Sequence, residues 1–412
     1  MIEVEVATAI KTYVDAGELA GAAALVWRDG KAHITTVGWR NVEAGLPIER
    51  DTIFRIASMT KPVTSAAALM LFDEGRFALD DPITRWAPEF SRMQVLRSPD
   101  ASLVETDAAE RPITFEDLLT HRSGLTYGEF HRGPIASAYR QALGGAIDSD
   151  VAPDRWIERL AALPLIDQPG RAFHYSHSTD LLGLLIARME DVPLEDVLRR
   201  WIFDPLGMTD TGFTVAREKH NRRAGLHGFD ESGRLITLRT VPGGHTLPER
   251  PEDMSYVSGG QGLWTTLDDY LAFARMFVEG GVVDGVRLLR PDTLSMMASN
   301  RLTDHQRATS ALLGLPLFAK GHGYGMGVAV VMEPDDADPM RCGGGTGSVG
   351  WPGAYGGWWQ ADPNDGSVLI FLAHSMVEMH QLAKGIGLGV WSAITQFQAL
   401  GSNPQHAHHS RQ

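Results

Sequence analysis

The chain has 412 residues and a formal net charge of −14, which makes nucleic acid and anionic membrane surfaces poor partners. A lone cysteine, Cys342, rules out an internal disulfide and permits a reducing compartment. No apolar run approaches the roughly 18 residues of a membrane span, and the acidic start Met1-Ile2-Glu3-Val4-Glu5 is unlike a signal peptide, so a cytoplasmic protein is expected.

Val4, Ala7, Ile10, Val14 and Leu19 recur near helical spacing and predict an amphipathic helix over 4–19. Residues 21–27 read as a strand, Arg28-Asp29-Gly30-Lys31 as a hairpin turn, and 33–39 as the returning strand. The run 66–72 is apolar nearly all round, which predicts a helix buried on every side and ended by Gly75. From 114 to 197 the pattern is mostly helical, with candidates at 114–120, 152–162, 180–189 and 192–201. Residues 225–255 are rich in Gly and Pro without a clear period and read as long loops at the mouth of a cleft. Thr266 is placed to cap a helix over 267–278. Strands are expected at 323–332, 356–361 and 367–374, with a hairpin loop at 362–366, then a closing helix over 382–397. The expected fold class is α/β of the α+β type. One antiparallel sheet is built from both termini and flanked by helices, with a mostly helical lobe inserted between. The expected domains are 1–85 with 256–400, then 86–255, with a disordered tail at 401–412.

Three short motifs carry chemistry. In Ser58-Met59-Thr60-Lys61, Ser58 stands at or just inside a helix N-terminus and Lys61 projects from the same face three residues on. The positive end of a helix disfavours an ammonium, which makes Lys61 a better base, and it favours the negative charge of an attacked carbonyl. The bland alternative is a helix cap followed by a surface lysine. Tyr175-Ser176-His177 precedes a helix, where Tyr175 either faces a cleft or is a partly buried tyrosine with a satisfied hydroxyl. Trp351-Pro352-Gly353 lies before a strand. Gly345 to Gly350 upstream matches G-x-G-x-x-G, but no βαβ unit surrounds it, so dinucleotide binding is rejected. His374 and His380 match no zinc spacing, and His406, His408 and His409 lie in the tail, so no metal and no cofactor is expected.

In this order the motifs resemble those of the serine β-lactamase and penicillin-binding-protein superfamily, with its β-lactamase/transpeptidase-like fold. Within it the likeness is to the class C group and, more narrowly, to the family VIII carboxylesterases. It extends over about 20–395 and includes Leu118 to Leu125, Pro169-Gly170, Leu181-Leu182-Gly183 and Pro205-Leu206-Gly207-Met208. The resemblance implies Ser58 as nucleophile, Lys61 and Tyr175 as partners sharing its proton, and the N–H groups of Ser58 and Ala354 as the oxyanion hole. It sets Tyr127, Trp351 and Gly353 on the substrate side. His121 and Ser123 are assigned to structure. Two positions depart from the lactamase pattern: His177 stands for Asn, and Trp351 stands for Lys. His177 has two open readings, a hydrogen bond to the relay or substrate, or a cap on the following helix. Without a Lys at 351 the charge-assisted contact to a penicillin carboxylate is lost. The expected activity is therefore hydrolysis of short-acyl carboxylic esters through acyl-Ser58, with weak or no β-lactam hydrolysis and a small ester as the partner. The alternatives are a β-lactamase or DD-peptidase, an acyltransferase, or a non-enzymatic scaffold.

Overall fold

A computed structural model describes residues 2–402 apart from 132, 146, 240–249, 251–253, 313, 319–320, 378 and 383. In chain order the elements that matter here are α1 (Ile2–Asp15), β1 (Gly21–Arg28), β2 (Lys31–Asn41), β3 (Leu46–Pro47) and α2 (Thr60–Asp73). They are followed by α3 (Phe115–Leu119), α4 (Ser178–Glu190) and α5 (Leu267–Ala274). The chain closes with β4 (His322–Tyr324), β5 (Ala329–Val331), β6 (Val349–Gly350), β7 (Trp358–Asp362), β8 (Ser367–Leu372) and α6 (Leu388–Gly401). The eight strands form one antiparallel sheet in the order β4-β5-β6-β7-β8-β1-β2-β3. The two ends of the chain meet inside it where β1 pairs with β8, Ala23 opposite Leu372 and Leu25 opposite Ile370, so both termini build it.

Successive side chains of a strand point to opposite faces, and both faces of this sheet are covered. Ala22, Ala24 and Val26 pack with α1 and α6 through Ile2, Val6, Ile10, Ile394 and Phe397. Ala23 and Leu25 belong to the larger core beneath the other face, with Val63 of α2 and Leu182 of α4. That double coverage explains why β1 and β8 read as continuous apolar runs. The hairpin between β1 and β2 turns on Asp29 and Gly30, both at positive φ (51° and 73°), as a two-residue turn of this hand requires. α2 is buried from Thr60 to Leu69, and Gly75 ends it at φ 72° with its N–H on the Phe72 carbonyl.

Several boundaries differ from those read in the sequence. α1 stops at Asp15, because Gly17 takes φ 72° and the Glu18 N–H closes back on Tyr13; Leu19 is a buried residue of the connection. The stretch 323–332 is a hairpin, β4 and β5, turned at Gly325 to Gly327. A Cβ on Gly327 would sit 2.4 Å from the Ser65 hydroxyl of α2. The closing helix begins at Leu388, since Gly385 and Gly387 at positive φ separate it from a short turn at Met379–Leu382. The helix near 192–201 runs as Leu194–Leu198 and continues through a wider π-helical turn, Arg199–Phe203. Within 225–255 a small hairpin pairs His227–Phe229 with Leu235–Thr237, and most of the later part lies outside the described residues. So do residues 403–412, on which the expectation of a disordered tail falls. No helix among the described residues is long and apolar enough to cross a membrane.

The approach to α2 is held by a buried ion pair. Arg55 lies in a short strand, Phe54–Arg55, that pairs with Trp264–Thr265 outside the main sheet. Its guanidinium grips Asp148 with two bonds of 2.8 and 2.6 Å, both side chains being 1% exposed. Removing one member of such a pair strands the other charge in the interior. Asp148→Ala is therefore expected to cost about 3–5 kcal/mol, measured as a lower urea midpoint at unchanged m-value. A loss below about 0.5 kcal/mol, the range of ordinary surface changes, would show that the pair does not anchor this segment.

Candidate active site

The turn into α2 is built with strain. The Ile56 N–H bonds the Leu263 carbonyl at 3.0 Å, and Ala57 then takes φ 44°. For a residue with a Cβ this left-handed conformation costs about 1–2 kcal/mol. It persists where neighbours over-determine the backbone, and here they do. The Tyr270 hydroxyl donates to the Met59 carbonyl at 3.0 Å, and the Leu263 N–H donates to the Thr60 hydroxyl at 3.1 Å. One tight turn, Ala57–Met59, therefore sets Ser58 at the head of α2.

Lys61, one turn on, is fully buried. Its Nζ lies 3.3 Å from Ser58 Oγ, 3.3 Å from the Tyr127 hydroxyl and 3.0 Å from the Gly260 carbonyl. Gly260 is presented by the segment before α5, whose preceding residue accepts the Thr64 hydroxyl at 2.6 Å through the Gly259 carbonyl. The Tyr175 ring covers the same nitrogen, with its centroid 4.4 Å away, and the Tyr127 ring centroid is at 5.4 Å. An ammonium over an aromatic face is attracted to the ring quadrupole.

Asp180, which the sequence showed only as the start of a helix, is the acceptor at the centre of the site. Its Oδ2 accepts the Tyr127 hydroxyl at 3.2 Å and lies 2.9 Å from His177 Nδ1. Its Oδ1 accepts the Ser258 hydroxyl and the Gly260 N–H, the latter at 3.0 Å. Burial works against the charged carboxylate, but the His177 hydrogen bond, the charges of His177 and Lys61, and the Ser258 hydrogen bond outweigh it. Asp180 is thereby held below the ordinary carboxylate range. Burial, followed by the nearby Asp180 charge, pushes the Tyr127 phenol well above its usual value, so Tyr127 keeps its proton. Tyr127 and His177 are 1% and 3% exposed. Both are committed to protein partners rather than open to a cleft. The only signal for Asp180 in the sequence was a carboxylate heading an otherwise apolar helix.

Tyr175 is brought over Lys61 by its ring, and its hydroxyl accepts the Trp351 indole N–H at 2.9 Å. Trp351 is 4% exposed and packs with Phe318 and Tyr324. Next to it, a Cβ on Gly353 would fall 2.4 Å from the Ile56 carbonyl oxygen. The segment 351–354 therefore runs directly over the turn that carries Ser58. Ala354, the next residue, is exposed. Behind Tyr175, the His121 ring packs at a tilt of 47° with its centroid 4.9 Å away, and its Nδ1 lies 3.0 Å from the Ser176 hydroxyl. Burial, and then Lys61, push the His121 imidazole well below its usual value.

The depressed Asp180 carboxyl makes a pH-dependent contribution to stability. Its folded value lies below the unfolded value of about 3.9. The contribution is thus complete above that pH and is lost as pH falls through the folded value. Asp180→Asn should therefore destabilise the protein more at pH 7 than near pH 3, read by urea unfolding at both. A gap that stays constant would contradict this.

Comparison with known proteins places the chain in a family. A sequence profile of the family described as Beta-lactamase matches residues 6–387. Protein Rv1367c of Mycobacterium tuberculosis is 46% identical over 364 residues, 88% of each chain. Esterase EstB of Burkholderia gladioli is 32% identical over 375 residues, 87% of each chain. A solved structure, described as EstCE1, a hydrolase with promiscuous acyltransferase activity, superposes with a TM-score of 0.76 at 25% identity, covering 96% of this chain and 98% of its own. The chain belongs to the beta-lactamase family.

Proposed function

We propose that this protein is a serine hydrolase that cleaves short-acyl carboxylic esters through an acyl-Ser58 intermediate, with weak or no β-lactam hydrolysis. The observation that carries the reading is the contact of Ser58 Oγ with Lys61 Nζ at a helix N-terminus. The Trp351 indole, which stands where the lactamase pattern has a lysine, adds support. EstB, similar over most of both chains, is named an esterase.

Ser58 attacks the ester carbonyl as its proton passes to Lys61. The carbonyl oxygen gains the negative charge and is received by the N–H groups of Ser58 and Ala354, each such donor being worth about 10²–10³ in rate. The tetrahedral intermediate collapses. The C–O bond to the alcohol breaks, and Tyr175 protonates the leaving oxygen while drawing a proton from Lys61. Water then attacks the acyl carbonyl by the reverse relay, releases the acid and restores Ser58. Trp351 orients Tyr175 by its N–H and offers no cation to a substrate carboxylate. A second reading, acyl transfer to an alcohol, shares every step up to acyl-Ser58. It is favoured by the acyltransferase activity in the description of EstCE1. Added 1-propanol would separate the two: a propyl ester forming in preference to the free acid marks a transferase.

Lys61→Ala and Tyr175→Phe should each lower kcat by several orders of magnitude with small changes in KM. The double variant should be little worse than the poorer single, because the two act as one unit. Additive losses would mean independent roles.

Substrate choice is tested at Trp351. A charge-assisted contact is worth about 1.5–3 kcal/mol, or roughly 10–100-fold, whereas an apolar wall favours an uncharged ester by about 0.8 kcal/mol per buried CH₂. Wild type should turn over p-nitrophenyl butyrate well and nitrocefin poorly. Trp351→Lys should raise the kcat/KM ratio of nitrocefin to the butyrate. Equal turnover of the two by wild type, or a ratio unmoved by the substitution, would sink the esterase assignment.

A further inference from the structure

His177 stands where the family's middle motif has an asparagine, and its surroundings give that difference a function. The imidazole is fixed on three sides. It stacks on Tyr139 at 6.0 Å and 11°, meets Trp156 edge-on at 5.5 Å and meets Tyr127 at 4.3 Å. The recess it lines with Glu129, Tyr139 and Arg140 has a volume of about 20 Å³, room for one water and not for an acyl chain. Its Nδ1 is 2.9 Å from Asp180, and the same carboxylate oxygen holds the Tyr127 hydroxyl.

The directions of the hydrogen bonds follow from what each group can donate. A carboxylate only accepts, so Tyr127 directs its proton to Asp180 and turns a lone pair to Lys61. Lys61 meets that oxygen and the Gly260 carbonyl, both acceptors. To take the Ser58 proton Lys61 must act as the neutral amine, which has two N–H groups and one lone pair. With both N–H groups held by these acceptors, the lone pair is left for the third neighbour, the Ser58 hydroxyl. This polarity depends on Asp180 remaining an oriented carboxylate, and His177 is one of its four donors, with Tyr127, Ser258 and the Gly260 N–H.

We infer that His177 is a positioning residue. By donating Nδ1–H to Asp180 it fixes the direction of the Asp180–Tyr127–Lys61 hydrogen bonds, so that the lysine lone pair faces Ser58. This rests on the hydrolase reading above. Asparagine carries its amide nitrogen on Cγ, the atom that carries Nδ1 in histidine, so it can present a donor at the same place. Leucine cannot.

The test uses the whole 412-residue chain with p-nitrophenyl butyrate and a p-nitrophenyl alkylphosphonate. His177→Leu should lower kcat about 10–100-fold, the effect of losing a hydrogen bond to a charged group, with KM changed by less than about threefold. The rate of Ser58 phosphonylation should fall in parallel. His177→Asn should recover most of both. Ser258→Ala, which removes another donor from the same carboxylate and leaves the ring stack intact, should shift kcat in the same direction; it carries the test if His177→Leu does not fold. A rise in KM at constant kcat would mean that His177 touches substrate, and would overturn the inference. So would an Asn variant no better than the Leu variant, or a Ser258→Ala variant with unchanged kcat. If the phosphonate labels wild-type Ser58 and the ester is turned over, such results remove this inference alone. If Ser58 is not labelled, the hydrolase reading falls and takes the inference with it.

Discussion

A lysine with no exposed surface is the constraint on which the rest of this site depends. Burying a lysine nitrogen without partners is costly whether it is neutral or charged, so Lys61 requires hydrogen-bond partners and a nearby counter-charge from wherever the chain can bring them. They come from four places: Ser58 on its own turn, Tyr127 from the loop beyond α3, Gly260 from the segment before α5, and Asp180 at the head of α4. Two glycines let those elements close on each other. A Cβ on Gly183 would meet the Cα of Gly259 at 3.3 Å and a Leu194 methyl at 2.7 Å. The close packing of α2, α4 and the 258–260 segment brings the Gly260 carbonyl and Asp180 to the lysine.

The local parts of this arrangement were legible in the sequence, and the convergent parts were not. Ser58 and Lys61 sit three residues apart across the turn into α2, so their meeting is short-range, although the left-handed Ala57 that shapes this turn does not show in the sequence. The Asp29-Gly30 turn and the Gly75 stop are likewise short-range chemistry. Asp180 is different. Nothing in its neighbourhood in the chain reveals that residues 127, 258 and 260 arrive beside it. Both readings of His177 meet in one local contact: its ring bonds the carboxylate three residues on at the start of α4, and that carboxylate also holds the Tyr127 hydroxyl. The glycine-rich stretches misled in a consistent way. Gly325 to Gly327 and Gly385 to Gly387 look like parts of apolar runs, yet they turn the chain, because positive φ is cheap only without a Cβ.

Trp351 shows how one substitution alters several contacts together. Read in the sequence, it was a missing cation and an apolar wall. In the fold its N–H is committed to Tyr175, and its ring closes an aromatic cluster with Phe318 and Tyr324. The same side chain that withholds a charge from a carboxylate-bearing substrate also orients the tyrosine of the proposed relay. Tyr175 is further steadied by His121, a left-handed residue at the end of α3 whose carbonyl accepts the His174 N–H at 2.8 Å. A non-glycine residue at positive φ is kept where its side chain is needed, and here the imidazole packs on the tyrosine ring.

In the proposed reaction an ester's acyl group passes through Ser58. The direct measurement is rapid-quench intact-mass spectrometry of wild-type protein mixed with excess p-nitrophenyl butyrate, followed by peptide mapping. One butyryl group per chain is expected, on the peptide bearing Ser58, appearing with the first turnover of nitrophenol and decaying as substrate is exhausted. Steady ester turnover with no acylated protein at any quench time, or a butyryl group on any other residue, would contradict it.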